Sequence, residues 1–475
     1  MKRLLLTLAF AAGTMILPAQ HQDPAWSARR AIIDAQCVQN DSLCNVLHKL
    51  GTFEGHLRSF LMTTHNGFGN PDYYALAMGG GLAYFSPVIK NFQVGMSGFI
   101  IYNVASSPLA PTVPYNNRYE IGLFDINDPD NHQDLDRLED LYVRYYVARS
   151  NRSYVQAGKF HLRTPLINLQ DGRMRPNLQQ GIWVEWNEWQ RWKLKGGWIS
   201  KTSPRSTVHW FDVGESIGQY PSGRATNGAK SQYAGHVQTP GIAIAGVTVL
   251  PAKGINMQVW NYRVPRLFNT SWVKAEYTRK RTAAQWMFGT QYLFQQSLYN
   301  DTLSVERQYI NANETAHALS TRVARTNVLN GSEWSLSWTR ITSRGRFLFP
   351  REWGVEPFYT FMYRERVEGA GDVHALMLQN QRAVGPHQRL TLQMQAGAYW
   401  MPSIDNALLN KYAMPGYYHF NLRARQRFTG FLHGLQADVL YSYKGLLAKP
   451  VPFDEVVYHN KAKTHLLSVV LDYYF

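Results

Sequence analysis

Three arginines at alternate positions, Arg423, Arg425 and Arg427, are the most direct pointer to chemistry in this chain. They lie in YYHFNLRARQRF (417–428), where Tyr418, Phe420, Leu422 and Ala424 share one parity and His419, Asn421 and the arginines the other. A period of two gives each parity its own face of a strand. A row of guanidiniums suits holding and passing an anion, because each offers a two-pronged fork to a carboxylate. Hydrolytic chemistry has no such signal. His419, Asn421 and Ser468 can be named as a nucleophile, base and orienting group, but H-E-x-x-H is absent and the chain is not expected to be an enzyme. No metal and no cofactor is expected either.

The elements that must position these arginines follow from compartment and composition. Met1, Lys2 and Arg3 precede LLLTLAFAAGTMIL, and Pro18, Ala19 and Gln20 close the run, which predicts a signal peptide over 1–19. Later apolar runs, such as IAIAGVTVL (242–250), stop at strand length, short of the roughly 20 residues of a spanning helix. A chain that enters a membrane with such segments does so as a barrel. The only two cysteines, Cys37 and Cys44, fall in a short periplasmic N-terminal segment over 20–50. An oxidising periplasm favours a local disulfide between them, with two free thiols as the alternative.

From residue 51 onward the chain breaks into segments of strand length, joined alternately by brief and long connections. Eighteen are counted, among them HLRSFLMTT, SYVQAGKFH, WKLKGGWIS, EWSLSWTRI, EPFYTFMYRER (356–366) and THLLSVVLDYYF. AHALSTRVA (317–325) is the nineteenth candidate. An even strand number places it in a loop. Aromatics are 13% of residues, with 28 Tyr and 14 Trp, yet the mean hydropathy is only −0.33. Trp183, Trp186, Trp189, Trp192 and Trp198 gather around one tight turn as an aromatic girdle would. The opposite faces carry polar residues such as Gln393 and Gln395, or Asn256 and Gln258, where a soluble barrel would hold hydrocarbon. The expected fold is all-β, a transmembrane antiparallel β-barrel of about 18 strands over 51–475.

Three stretches resemble the OprD family of substrate-specific outer-membrane porins: VQAGKFHLRTPLINLQDGRMRPNLQQGIWV (155–184), FPREWGVEPFYTFMYRERVEGAGDVHAL and NKYAMPGYYHFNLRAR. GTFEGHLRSFLM and DYYALAMGGGLAYFS near the start extend the resemblance over most of 51–475; the 21–50 segment has no counterpart. It implies an inward-folded constriction loop between strands at 155–161 and 181–189, which brings Arg163, Asp171, Arg173 and Arg175 near the path. Arg173 or Arg175 could instead pin that loop through Asp171. Across the lumen Arg423, Arg425 and Arg427 form a basic ladder, with Lys193, Lys195, Arg144 and Lys159 as further lining candidates by parity. Lys193 and Lys195 could equally sit at the periplasmic rim, and Arg364 and Arg366 could pair with Glu365 or lipid phosphates.

The expected function is passive, selective uptake of small carboxylate-bearing or anionic solutes across the outer membrane of a Gram-negative bacterium. The alternatives are an oligosaccharide-type porin of the same family and a structural barrel that transports nothing. The balance of 49 Lys+Arg against 33 Asp+Glu, net +16, agrees with an anion path. Nucleic acid is not expected as a partner, because the basic residues are spread on strand parity instead of gathered in a patch. The expected partners are outer-membrane lipid and lipopolysaccharide, small solutes, and the barrel assembly machinery, read through the terminal Phe475. A monomer or loose trimer is expected.

Overall fold

The structure, a computed structural model, describes residues 50–148, 150–170, 172–300, 302–385, 389–449 and 455–475. The leader, Cys37, Cys44 and Asp171 lie outside the described residues.

Eighteen strands make up the wall. The first six are β1 (Thr52–Asn66), β2 (Tyr73–Phe85), β3 (Phe92–Ser106), β4 (Leu135–Tyr146), β5 (Tyr154–Phe160) and β6 (Leu178–Trp186). Next come β7 (Trp192–Ser203), β8 (Ile242–Val249), β9 (Ile255–Val264), β10 (Phe268–Lys280), β11 (Ala284–Ser297) and β12 (Thr315–Asn327). The last six are β13 (Glu333–Ile341), β14 (Val373–Val384), β15 (Leu390–Trp400), β16 (Tyr417–Arg427), β17 (Leu435–Leu446) and β18 (Thr464–Tyr474). Each pairs antiparallel with its sequence neighbours, and β18 returns to β1 with His56 opposite Tyr474 and Asn66 opposite Thr464. Of the 19 strands in the sheet, one is a two-residue ladder at Phe211–Asp212 that β8 bypasses to pair with β7 directly. The other eighteen close on themselves, leaving no edge strand.

Alternation along the strands separates two surfaces. Leu57, Leu82, Ile100, Val143, Ile182, Val259, Leu336, Leu378 and Leu422 stand exposed on the outer face. Glu54, His56, Arg58, Arg137, Glu139, Gln393, Gln395, Asn421 and Arg423 are buried on the inner one. Such an inside-out pattern is stable only where hydrocarbon surrounds the barrel. No helix among the described residues is long and apolar enough to cross a membrane. Trp189, Trp192 and Trp198 are exposed, but Trp183 turns inward and is buried, donating Nε1–H to Glu185 at 3.2 Å. It does not belong to the girdle.

The strand count is as expected, but two segments exchange roles. Residues 317–325 lie within β12, and 356–366 form no strand but part of the long connection 342–372, folded into the lumen. One packing arrangement explains both. The first half of the inner face of β12 carries small residues, Ala316, Ala318 and Ser320, where Tyr359 of the inner connection sits and donates its backbone N–H to Ser320 Oγ at 3.0 Å. The aromatics missing from the wall are on the loop instead. Gly289 on β11 completes the recess: a Cβ there would stand 2.4 Å from the Tyr359 hydroxyl.

Candidate functional site

Two connections enter the barrel from the long-loop rim, 161–177 between β5 and β6 and 342–372 between β13 and β14. Leu162, Leu166, Ile167, Phe347, Phe349, Trp353 and Phe358 bury themselves in one apolar cluster with inner-wall residues Tyr262 and Trp272. Asn168 joins the two loops: its Nδ2 donates to the Val355 carbonyl at 3.0 Å, its Oδ1 accepts from the Val355 N–H at 3.1 Å, and its own N–H donates to the Trp353 carbonyl at 3.2 Å. The two loops thereby narrow the lumen. The polar half is where the charges meet.

Arg175 is an anchor. Its Nε donates to Glu139 Oε1 at 2.6 Å and its Nη2 to Oε2, its Nη1 lies 3.0 Å from His56 Nδ1, and the guanidinium rests 4.1 Å over the Phe99 ring. Arg58, itself bonded to Asp472 at 2.6 Å, donates to the carbonyls of Arg173 and Met174 at 2.9 and 3.1 Å. Arg137 donates to the carbonyls of Pro176, Pro204 and Thr207. Two wall arginines, Arg58 and Arg137, and one wall acid, Glu139, thus clamp the loop. The acid that holds Arg175 is Glu139 on β4, a partner the sequence reading did not single out.

Arg173 is placed differently. It is buried, and its Nη1 donates at 2.8 Å to the Gly172 carbonyl, which also accepts from Arg364 Nη1 at 2.8 Å. Arg364 Nη2 donates to Ser468 Oγ on β18 at 2.7 Å. Arg205 closes the group, since a point at the Cβ position of Gly172 lies 3.4 Å from Arg364 Nη1 and 3.5 Å from Arg205 Nη1. Burial and then the neighbouring Arg364 disfavour the charge on Arg173; burial and then Arg205 do the same for Arg364. Among the described residues neither Arg173 nor Arg364 forms an ion pair with a carboxylate. Since a guanidinium keeps its proton, an arriving anion relieves both costs.

The ladder on β16 continues this group. Arg423 donates through Nε to Asp438 at 2.8 Å and through Nη1 to the Tyr363 hydroxyl at 2.7 Å, and Arg425 Nε reaches the same carboxylate at 3.2 Å. Arg427 is exposed at the short-turn rim. Two inward arginines therefore share one acid, and Arg423 is more deeply held than a free rung. The Arg366 guanidinium donates to Gln170 Oε1 at 2.6 Å and to the Gly354 carbonyl at 3.0 Å, and only its backbone N–H reaches Glu365, at 3.0 Å. Glu365 instead takes Lys444 at 2.8 Å and Arg118 at 3.3 Å. Beside Arg366, burial pushes the Glu356 carboxyl up to about 7.

The other candidates do not join the group. Arg144 is stacked 4.2 Å over Tyr154 and bonded to Gln156, and Lys195 pairs with Glu185 at 2.9 Å. Lys193 stands exposed beside the 187–191 turn, and Arg163 is exposed on the loop. Lys159 is a correction: it stands opposite Leu141, whose side chain is on the outer face, and its ammonium lies 4.5 Å over Trp210. Parity along this strand is unbroken: Gln156 and Phe160 are both buried, which leaves Lys159 on the opposite face. GESIG (214–218) spells G-x-S-x-G, a match the sequence reading passes over. Its Ser216 is buried, donates to the Val213 carbonyl at 2.7 Å and accepts from Trp353 Nε1 at 2.9 Å, so it is a packing residue and not an exposed nucleophile.

A closed barrel with an apolar belt outside, charged groups inside and loops folded into its lumen defines a membrane channel of the porin class. Residues 128–348 match the family described as outer membrane porin, OprD family. Over these residues, just under half of the chain, the protein is similar to the OprD family, which together with the barrel indicates the outer membrane of a Gram-negative bacterium. Its fold is that of solved porins. OccAB2 of Acinetobacter baumannii superposes with a TM-score of 0.68 at 11% identity, over 89% of this chain and 97% of that one. OccK9 (OpdG) of Pseudomonas aeruginosa gives 0.67 at 13%, over 89% and 97%. OpdK of the same organism, solved with vanillate, gives 0.65 at 13%, over 89% and 98%. No curated protein sequence matches this one.

Proposed function

We propose that this porin passes small carboxylate-bearing anions through a path lined by Arg173, Arg364, Arg423 and Arg425. The observation that carries the reading is the meeting of Arg173 and Arg364 on one carbonyl, with no carboxylate partner among the described residues. At an effective dielectric of about 20, one guanidinium about 4 Å from a carboxylate contributes roughly 4 kcal/mol of attraction, before the cost of desolvation. Two in series, followed by a pair already half neutralised by Asp438, form a gradient: strong capture, then release. The solved relative OpdK was crystallised with vanillate, an aromatic carboxylate, which supports the same class of solute here.

Uptake by proteoliposomes tests this. Benzoate or succinate entry should fall about tenfold in an Arg173→Gln/Arg364→Gln variant, while a neutral sugar of similar size keeps its rate. Equal losses for both solutes would reduce the arginines to scaffolding.

A further inference from the structure

The outer wall carries a charged row of its own at the short-turn end, apart from the arginines of the lumen. Register sets Arg279 on β10 opposite Trp286 on β11, Trp286 opposite Arg325 on β12, Arg325 opposite Trp334 on β13, and Trp334 opposite Asn380 on β14. Both arginines and both tryptophans are exposed, and Arg382, two residues beyond Asn380, is exposed on the same face. One step toward the middle of the wall, the same pairings align Tyr277, Phe288, Val323, Leu336 and Leu378. A cationic row thus borders an apolar one.

Charge on this face is one-sided. The only acids on these five strands, Glu276 and Glu333, turn into the lumen, where they meet Lys274 at 3.0 Å and Arg322. Among the described residues Arg279, Arg325 and Arg382 form no ion pair. The same rim is built differently on β1 to β4, where Phe53 packs 4.6 Å from Tyr84 and Phe92 4.9 Å from Tyr145, and no outward position holds Lys or Arg. An aromatic girdle is general to membrane barrels; guanidiniums set between its indoles distinguish this sector. A lipid-facing arginine is tolerated near the interface, where its apolar stem lies along the wall and its head reaches the phosphate level. Arg279 and Arg325 stand two strand spacings apart, about 10 Å, with Trp286 between them. Both forks can therefore close on one phosphate lying over the indole.

We propose that the short-turn end of β10 to β14 binds an anionic phospholipid of the periplasmic leaflet, with Arg279 and Arg325 on its phosphate and its acyl chains along Phe288, Val323 and Leu336. Short turns mark the periplasmic side of such barrels, so the partner comes from that leaflet. The uncompensated arginines set the headgroup: phosphatidylglycerol carries a net negative charge, whereas the ammonium of phosphatidylethanolamine is repelled. The site lies outside the barrel and is independent of the solute path within it.

Native mass spectrometry of the full chain, released from detergent micelles that hold equal amounts of phosphatidylglycerol and phosphatidylethanolamine, tests this. The wild type should retain phosphatidylglycerol in preference. In Arg279→Gln/Arg325→Gln that affinity should fall about thirtyfold, a factor of about five for each cation near an anionic headgroup, while phosphatidylethanolamine is retained as before. Lys90→Gln, which removes a rim charge from the turn between β2 and β3, should leave both lipids unchanged. Equal retention of the two lipids by the wild type, or undiminished phosphatidylglycerol in the double variant, overturns the site. An equal loss in Lys90→Gln reduces it to the general charge of the rim. Displacement of the lipid by excess inorganic phosphate would show a site for the free ion, and a changed oligomeric state with unchanged lipid would give the face to a second copy of the chain; either result overturns the proposal. Heat-modifiable migration on a gel verifies that each variant forms its barrel.

Discussion

Replacing Arg175 with Met should loosen the constriction without unfolding the barrel. Glu139 is fully buried, and its described ion-pair partners are Arg175, through both guanidinium edges, and Arg137 at a looser 3.9 Å. Removing one member of a buried pair costs about 3–5 kcal/mol, because the other charge is left without its partner. At about 1.4 kcal/mol per tenfold, the equilibrium for loop detachment shifts by roughly 10² to 4 × 10³. The wall does not share this loss, since the ladders from β1 to β18 are closed independently of the loop. Native-state hydrogen exchange should report it: the Thr164, Asn168 and Asn177 amides, bonded to Ile167, Trp353 and Leu169, should exchange about 10² times faster or more, while β1 and β18 amides keep their protection. The double variant Arg175→Met/Glu139→Gln should recover part of the protection, because the buried carboxylate is gone and Arg137 keeps its carbonyl acceptors. Unchanged exchange in Arg175→Met would refute the clamp. Equal loss across the wall strands would show that the pair supports the barrel and not the loop.

Three further outcomes follow from other parts of the molecule. Gly289→Leu should displace the 342–372 loop, because the new side chain takes the space of the Tyr359 hydroxyl 2.4 Å away; a changed single-channel conductance with normal heat-modifiability is expected, and unchanged conductance would contradict the packing. With its carboxyl at about 7, Glu356 is neutral in mild acid and charged in mild base, so anion preference should decline as pH rises from 6 to 8. Glu356→Gln should flatten that decline, and an equal slope in both proteins would assign it elsewhere. Intact mass of the unreduced, exported chain should be two hydrogens below the reduced value if Cys37 and Cys44 are joined, whereas two thiols alkylated without reduction would oppose it.

Much of the wall was legible because its physics is local. The two-residue period in YYHFNLRARQRF placed Arg423, Arg425 and Arg427 on the inner face, and His419 and Asn421 are buried beside them. What the period cannot supply is the neighbour. Asp438 meets Arg423 only through the β16 to β17 register, which sets Ala424 opposite Val439 and Arg425 opposite Asp438. Glu139 and Arg175 are likewise brought together by a loop that leaves one strand and returns to touch another. The exchange between 317–325 and 356–366 has the same origin: aromatic content marks apolar contact, and EPFYTFMYRER satisfies that contact inside the lumen instead of at the outer surface. Arg205, Arg58 and Arg137 left no signal of their own, being single arginines in otherwise ordinary segments. HLRSF does carry His56, Arg58 and Phe60 on one parity, the inner one.

The central claim is that the arginines around Gly172 and along β16 select anions, and the reversal potential in a potassium chloride gradient measures it directly. The wild type should give a potential of the sign set by chloride, and Arg173→Gln/Arg364→Gln should move it toward zero. The shift should shrink as total salt rises from 0.1 to 1 M, where the screening length falls from about 10 to about 3 Å. A cation-selective wild type, or a double variant with an unaltered potential, would contradict the account.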